Sequence, residues 1–298
     1  MFNGHPHDLI LDTDIGSDVD DALALGVLLG SPEARLHGVT TAYGDTLLRA
    51  RLARRLGALA GHDLLVVPGA REPLSGRDVW WAGHEGRSFP DLETEPVPDT
   101  VGADRFLVES VLARPGTLDV IAIAPLTNIA LALADPSFAP AVKRLYVMGG
   151  DFATGSGPRP GPEHNILSDV TAARTVFTSG VRTVVTGLDI TRRLRIGPDG
   201  IEAIRAAGGF GAALAREIDG WTGFTGEGWS VPHDPITVLS LLRPDLYETR
   251  RGSVEVTDDG VTHFHPDPHG PVDLVTDADF DAVAEEIVGR IVRAAAGG

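Results

Sequence analysis

A cluster of aspartates near the start of the chain has the residue types and the spacing to bind a cation. The segment from Asp12 to Asp21 carries five carboxylates in ten residues, and it lies where a predicted strand gives way to a predicted helix. Asp12 and Asp14 are two apart on an extended chain, so they share a face. Carboxylates this close repel one another unless a cation neutralises them, and oxygen ligands indicate Mg²⁺, Mn²⁺ or Ca²⁺.

The spacing of the cluster differs from that of two common binding loops. Counted from Asp12, an EF-hand would need glycine at the sixth position and glutamate at the twelfth. The chain has Ser17 and Leu23 at those positions. The phosphate-binding pattern G-x-x-x-x-G-K is also missing from the sequence. The cluster therefore predicts a cation site of another kind.

Composition excludes several classes of partner and of chemistry. The chain of 298 residues has no cysteine, so a metal must bind through oxygen or imidazole ligands. The formal net charge of −17 disfavours nucleic acid and anionic membranes, whose binding requires basic side chains. No apolar run is long enough to span a membrane, and the N-terminus lacks a signal-peptide pattern. We expect a cytoplasmic protein with a small-molecule substrate.

The elements that must position the cluster alternate between strand-like and helix-like segments up to about residue 190. This alternation predicts a mostly parallel open sheet with helices on both faces, a Rossmann-like α/β fold. In such sheets ligands collect at the carboxyl ends of the strands. Residues 253–264 predict a hairpin around an Asp-Asp-Gly turn. Since no long linker or internal repeat is present, residues 1–298 are interpreted as a single domain.

Further motifs follow the cluster in a fixed order. They are TTAYGD at 40–45, APLTNIA at 124–130, VMGG at 147–150, EHNI at 163–166, GLDIT at 187–191 and HDP at 233–235. Together with the Asp-x-Asp, Gly and Asp-Asp-Ala of the first motif, they resemble the inosine/uridine-preferring nucleoside hydrolase family. The resemblance covers nearly the whole chain and implies that family's version of the Rossmann-like fold.

The resemblance implies a Ca²⁺-dependent enzyme that hydrolyses the N-glycosidic bond of a ribonucleoside to ribose and free base. It places Ca²⁺ on the side chains of Asp14, Asp21 and Asp234 and on the backbone carbonyl of Ile123. Asp14 is then also the candidate general base, because a metal ligand beside a metal-bound water can accept its proton. A homo-oligomer, either a dimer or a tetramer, is suggested as well.

The same resemblance assigns residues to the substrate. Asp20 and Asp45 would contact the ribose, and Glu163 and Asn165 would bind the sugar hydroxyls. His233 would lie near the leaving base. Because imidazole titrates near neutrality, His233 is the candidate acid for the departing base.

Several features depart from the family pattern. The first motif has two more residues between its second Asp and the Asp-Asp pair, so Asp18 becomes a second candidate for the sugar contact. His164 replaces the usual Phe, and residues 155–158 stand where many members have an Asn that helps to hold the sugar. Segment 80–86 matches the family's His/Gly loop only loosely. His84 is therefore a weaker substrate-binding candidate, and the preferred base stays open.

Two other functions fit part of the pattern. A Mg²⁺-dependent phosphohydrolase could use Asp12 as its nucleophile, because a strand ending in Asp-x-Asp also serves that chemistry. It would need a downstream lysine for the phosphate, and Lys143 is the only lysine in the chain. The second alternative is a non-catalytic calcium- or nucleoside-binding protein on the same fold. The intact set of metal ligands and His233 argues against a loss of catalysis.

Overall fold

One mostly parallel sheet runs through the chain. The computed structural model describes residues 7–97, 102–152 and 160–296. Within these ranges the strands are β1 (His7–Thr13), β2 (Ala34–Thr41), β3 (Val66–Pro68), β4 (Asp119–Ala122), β5 (Arg144–Met148), β6 (Thr183–Thr186), β7 (Tyr247–Val256), β8 (Thr262–Pro266) and β9 (Val272–Ala278). They pair in the order β3-β2-β1-β4-β5-β6-β9-β7-β8. Pairing is parallel from β3 to β9 and antiparallel for β7 with β9 and with β8.

Helices cover both faces of this sheet. They are α1 (Asp20–Leu29), α2 (Thr46–Leu59), α3 (Ala103–Ala113), α4 (Thr127–Ala132), α5 (Phe138–Ala141), α6 (His164–Ser168), α7 (Val170–Thr178), α8 (Leu188–Thr191), α9 (Pro198–Arg205), α10 (Gly208–Thr225), α11 (His233–Leu242) and α12 (Phe280–Ala296). Among the described helices, none combines the length and apolar character that crossing a bilayer requires. The predicted fold class is confirmed. The domain limits 1–298 stay a prediction, since both termini lie outside the described ranges.

The period of the strands explains why the sheet has two cores. Successive side chains of a strand point to opposite faces. In β1, Leu9 and Leu11 pack into the core that contains α1 and α12, whereas Ile10 packs into the core that contains α3 and α7. All three are fully buried. The central strands therefore read as continuous apolar runs, as strands covered on both faces do.

Two elements differ from the sequence expectation. The hairpin of β7 and β8 is confirmed, but β9 was not anticipated; it inserts between β6 and β7 and joins the hairpin to the parallel sheet. Helix α10 extends through a glycine-rich stretch that would not favour a helix by propensity alone. Phe210, Leu214 and Ile218 recur at a spacing of four residues and are buried, so tertiary packing stabilises the helix.

The sheet brings distant parts of the chain to one edge. Asp12 pairs with Ala122, and Ala122 pairs with Val147, so β1, β4 and β5 end side by side. The residues that follow these strands therefore meet, as they do in open parallel sheets. Helix α11 packs against α1. This contact carries Asp234, in the first turn of α11, to the aspartates at the start of α1.

Close packing at the end of α1 gives a test of the fold. A Cβ on Gly30 would lie 1.8 Å from the backbone oxygen of Arg290 in α12. Since packed backbone cannot easily move aside, we expect Gly30→Ala to lower the free energy of unfolding by about 2 kcal/mol, measured by urea denaturation. Gly209→Ala is the matched control because a Cβ there meets nothing within 4 Å. Equal stability of the two variants would contradict the observed packing of α1 on α12.

Candidate active site

A cavity of about 430 Å³ opens at the carboxyl ends of β1, β4 and β5. This volume is within the range of small-molecule sites, roughly 300–1,000 Å³. Carboxylates, aromatic rings and one guanidinium dominate its wall. The lining residues are Asp14, Ser17, Asp18, Asp20, Asp21, Trp80, Ile123, Met148, Pro162, Glu163, His164, Asn165, Leu188, Arg192, Trp221, His233 and Asp234.

Most of the sequence-predicted site residues meet in this cavity. They are Asp14, Asp20, Asp21, Ile123, Glu163, Asn165, His233 and Asp234, from segments spread over most of the chain. Asp45 and His84 are not among the lining residues. Residues 155–158, the predicted departure in the sugar-holding loop, lie outside the described residues.

Asp45 is kept from the cavity by the turn that precedes it. Tyr43 and Gly44 both have positive φ, 68° and 77°, and they turn the chain into α2. The Asp45 carboxylate accepts a hydrogen bond from the Leu48 amide at 3.1 Å and so caps the helix. It also pairs with Arg71 at 3.1 Å, and its side chain is half exposed. The structure therefore supports a helix-capping role for Asp45.

His84 contacts the aspartate loop rather than the cavity. Its Nε2 lies 2.6 Å from the backbone oxygen of Ser17. Its ring packs 5.3 Å from the ring of Phe224 and 6.2 Å from that of Trp221, measured between centroids. Because Trp221 does line the cavity, His84 packs against a residue of the wall without lining it.

The carboxylates of the first motif form a tight group. Gly16, with φ of 117°, makes the turn that sends the chain from β1 towards α1. Oxygen atoms of Asp18, Asp20 and Asp21 lie within 4.8 Å of one another. Asp14 and Asp234 line the same cavity, and both are buried. The structure thus places Asp18, whose role the spacing left open, in the same acidic cluster.

Burial and mutual repulsion control the charge of this group. Burial raises the pKa of Asp20 well above its usual range, and the neighbouring carboxylates of Asp18 and Asp234 raise it further. The pKa values of Asp21 and Asp234 are raised in the same way, first by burial and then by nearby carboxylates. Within the described chain, Oδ1 of Asp20 is buried without a hydrogen-bond partner. Such oxygens suit a hard cation, which supplies both a partner and a positive charge.

Glu163 and Asn165 are held rigidly at the adjoining wall. Glu163 caps α6 by accepting hydrogen bonds from the amides of Asn165 at 2.8 Å and Ile166 at 3.0 Å. Asn165 Nδ2 donates to the carbonyl oxygens of Ile123 at 3.1 Å and Met148 at 3.3 Å. A carbonyl oxygen has two lone pairs, so the Ile123 oxygen can still accept a second contact.

His233 faces the cavity at the start of α11. Its Nδ1 lies 2.6 Å from Oγ1 of Thr191, which is fully buried and has no other side-chain hydrogen bond in the described part of the chain. A buried hydroxyl proton without an acceptor carries a large desolvation penalty. We therefore assign Thr191 as the donor and Nδ1 of His233 as the acceptor. His233 then carries its proton on Nε2. Burial lowers the pKa of His233 to about 4, with Asp18 opposing and Arg192 adding to this effect.

The comparisons with known proteins agree with the sequence motifs. The family model described as inosine-uridine preferring nucleoside hydrolase matches residues 9–285. The chain belongs to this family. Membership makes it a nucleoside hydrolase, an enzyme that cleaves N-ribosyl bonds, and its family is metal-dependent.

Relatives and solved structures support the same assignment. Uridine nucleosidase 1 of Arabidopsis thaliana is 33% identical over 276 residues, which are 88% of this chain and 82% of that protein. The pyrimidine-specific ribonucleoside hydrolase RihA of Enterobacter sp. (strain 638) is 36% identical over 262 residues, covering 81% of this chain and 80% of its own length. The solved plant nucleoside hydrolase PpNRh1 superposes with a TM-score of 0.85 at 28% identity, covering 96% of this chain and 99% of that one.

The position of Asp12 in this nucleoside hydrolase does not favour the rival phosphohydrolase. Asp12 is fully buried, and its Oδ1 accepts hydrogen bonds from Thr40 at 2.6 Å and Asn128 at 2.7 Å. It ties β1 to β2 and α4 and does not line the cavity. Lys143 pairs with Asp119 at 2.7 Å, at the opposite end of the strands. Asp12, the nucleophile that a phosphohydrolase would use, and the lysine that would bind its phosphate are therefore both absent from the described wall of the site.

Arg49 holds the aspartate loop of this family member, and the sequence alone did not single it out from the other arginines of α2. It is fully buried and donates to the backbone oxygens of Asp14 and Ile15 and, at 3.1 Å, to Ser17 Oγ. Ser17 Oγ in turn donates to Glu85 at 3.1 Å. The loop that follows Asp14 is thus fastened to α2 and to segment 80–86.

Removal of this guanidinium tests its role in the loop. We expect Arg49→Met to lower the free energy of unfolding by about 3 kcal/mol or more, because it leaves several buried oxygens without a donor. Urea denaturation followed by circular dichroism measures the loss. Arg105→Met is the control, since the Arg105 side chain is 80% exposed and, among the residues described, pairs only with Glu109 on its own helix. Similar stability of both variants would show that Arg49 does not support the loop.

Proposed function

We propose that this nucleoside hydrolase cleaves ribonucleosides with Ca²⁺ bound among the aspartates of the cavity. The observation that carries the proposal is the convergence of buried Asp14, Asp21 and Asp234 with the Ile123 carbonyl on one cavity at the ends of β1 and β4. The names of the relatives from Arabidopsis and Enterobacter favour a pyrimidine nucleoside as the first substrate to test.

The donor set supports Ca²⁺ in particular. Carboxylate and carbonyl oxygens are hard ligands, and Ca²⁺ accepts six to eight of them in flexible geometry. Asp14, Asp21, Asp234 and the Ile123 carbonyl would hold the ion, and the unpartnered oxygen of Asp20 lies beside them. When bound, the ion would make a nearby water easier to deprotonate and would help to orient the sugar hydroxyls.

The remaining residues divide the reaction between them. Asp14 takes the proton of the attacking water as general base. Asp20, with Glu163 and Asn165, binds the ribose hydroxyls and fixes the sugar in the cavity. The surrounding carboxylates stabilise the positive charge that develops on the sugar in an oxocarbenium-like transition state.

His233 assists the leaving base as a neutral hydrogen-bond donor. The sequence suggested an imidazole that titrates near neutrality, but burial lowers the pKa of His233 to about 4. The ring is therefore neutral at pH 7, and because Nδ1 is engaged by Thr191, Nε2–H is left as the donor that a ligand in the cavity could use. This donor can bind the base nitrogen or oxygen on which electrons accumulate.

Other sequence-based predictions remain to be tested. A substrate contact by Asp45 or His84 would require a ligand that reaches beyond the cavity wall described above. The homodimer or homotetramer and the cytoplasmic location also stay predictions. Asp18 is the added candidate for the sugar contact beside Asp20, because both line the cavity.

The proposal is tested first by the reaction itself. We expect the purified protein to release ribose from uridine or inosine in a reducing-sugar assay with Ca²⁺ present. EDTA should abolish the release, and added Ca²⁺ should restore it. The clustered carboxylates repel one another without the ion, and they hold water and sugar only through it. Absence of ribose across a panel of purine and pyrimidine ribonucleosides would refute the hydrolase proposal. Phosphate release from monophosphates would favour the phosphohydrolase instead.

The roles of Asp14 and His233 are separable by two variants. We expect Asp14→Asn to weaken Ca²⁺ binding about tenfold or more, because it alters a ligand of the ion. The same change should abolish turnover. His233→Gln should lower kcat about 100-fold or more while Ca²⁺ affinity in calorimetry changes little.

Asp63→Asn serves as the control for both variants, since its side chain is 88% exposed on the surface. It should retain wild-type turnover and Ca²⁺ affinity. An equal loss of Ca²⁺ affinity in Asp14→Asn and His233→Gln would overturn the role given to His233.

A further inference from the structure

Arg192 is the feature of the cavity that the proposed reaction leaves unexplained. Six carboxylates line the wall, and Arg192 is the only lysine or arginine among the described lining residues. A guanidinium keeps its charge throughout the accessible pH range. A permanent cation beside so many carboxylates suggests a purpose different from metal binding.

The position of Arg192 places it on the same side of the cavity as His233. It directly follows Thr191, whose hydroxyl holds the His233 ring. Leu188, one helical turn earlier, and Trp221 of α10 line the same cavity and are apolar. The charge of Arg192 also lowers the pKa of His233, although burial and Asp18 have larger effects on it. The cavity therefore combines apolar side chains with two hydrogen-bond donors, as a recognition site for a planar base would.

Most of the donors of Arg192 make no hydrogen bond to the residues that the structure describes. A guanidinium has five N–H groups. Within the described chain, the side chain of Arg192 makes a single contact, from Nη1 to Asp151 Oδ2 at 3.4 Å. The Asp151 side chain is buried, whereas that of Arg192 is 56% exposed. Asp151 therefore holds the guanidinium by one long hydrogen bond, and the other N–H groups have no partner among the described residues.

We infer that Arg192 is a specificity-determining residue that binds the carbonyl oxygen at position 4 of a pyrimidine leaving base or at position 6 of a purine. The inference rests on the proposed N-glycosidic hydrolysis. In that reaction water oxygen bonds to C1′, its proton passes to Asp14, and the electron pair of the C1′–N bond goes to the base. In uracil or hypoxanthine the resulting negative charge is shared with carbonyl oxygens. A guanidinium beside such an oxygen stabilises the charge as it develops.

The inference predicts a preference between bases. Uracil and cytosine differ at position 4, where one has a carbonyl acceptor and the other an amino donor, and hypoxanthine and adenine differ in the same way at position 6. A guanidinium has donors only, so an amino group opposite it leaves a donor unpaired. Sites built to pair a polar group discriminate strongly against a substrate that lacks it. We therefore expect higher kcat/KM for uridine than for cytidine and for inosine than for adenosine.

The experiment compares Arg192→Met and Arg192→Lys with a matched control, Arg193→Met. Arg193 is the next residue along the chain and is similarly exposed, at 47%. It pairs with Asp277, stacks on Phe280 and does not line the cavity. Steady-state kinetics are measured with the four nucleosides and with p-nitrophenyl β-D-ribofuranoside, whose leaving group is already a stable anion.

We expect Arg192→Met to lower kcat/KM for uridine about 10–100-fold, the range for loss of a charge-assisted hydrogen bond, and to reduce the uridine-to-cytidine ratio. Arg192→Lys should recover part of both. With p-nitrophenyl riboside the loss should be no more than about threefold, since that leaving group needs little stabilisation. Arg193→Met should match the wild type with every substrate.

The outcomes separate this inference from the proposed function. An active wild type whose base ratios are unchanged in Arg192→Met would overturn the role of Arg192 alone. An equal loss with p-nitrophenyl riboside and uridine would also overturn it, because the effect would then lie on the sugar or the fold. Failure of the wild type to release ribose from any nucleoside would refute the proposed function, and the inference with it.

Discussion

The repulsion between buried carboxylates is the constraint on which the rest of this structure depends. Asp14, Asp20, Asp21, Asp234 and Glu163 are each at most 6% exposed around one cavity. Burying a charge without compensation is costly, and burying several side by side is more so. The group can persist because the surrounding fold holds it by backbone hydrogen bonds and because a divalent cation can neutralise it. The site is therefore locally less stable than an apolar core would be, but its carboxylates are already arranged to bind a cation.

The compensation for this repulsion comes from distant elements. Arg49, from α2, anchors the backbone of the aspartate loop, and its charge lowers the pKa of Asp14 and Asp21 in opposition to burial. Thr13 donates to Asp21, and Asp12 ties the end of β1 to its neighbours. Segment 80–86 binds Ser17 through Glu85 and His84. The longer loop of the first motif is therefore held in place by Arg49 and by segment 80–86, and part of that segment also contributes to the cavity wall.

The wall of the cavity combines carboxylates with hydrogen-bond donors, and this combination suits its reaction. Carboxylates surround the position proposed for the sugar, where positive charge develops as the N-glycosidic bond breaks. His233 and Arg192 offer hydrogen-bond donors where negative charge would develop on the base. Because carboxylates and hydrogen-bond donors line the same small site, developing charge of either sign can be stabilised without reorganisation of solvent. Trp80, His164 and Trp221 complete the wall with rings that can contact flat ligands.

The sequence by itself determined the α/β fold class, the family and most of the residues that meet in the cavity. Alternating apolar runs and ordered motifs are local signals, so they are readable without coordinates. Asp45 and His84 do not line the cavity, because a positive-φ turn and side-chain packing direct them elsewhere, and the sequence does not reveal such contacts. Arg49 resembled three other arginines of its helix, and Arg192 resembled its neighbour Arg193; only tertiary packing distinguishes them. Strand β9 and the glycine-rich part of α10 also depend on long-range contacts, which outweigh weak local propensity.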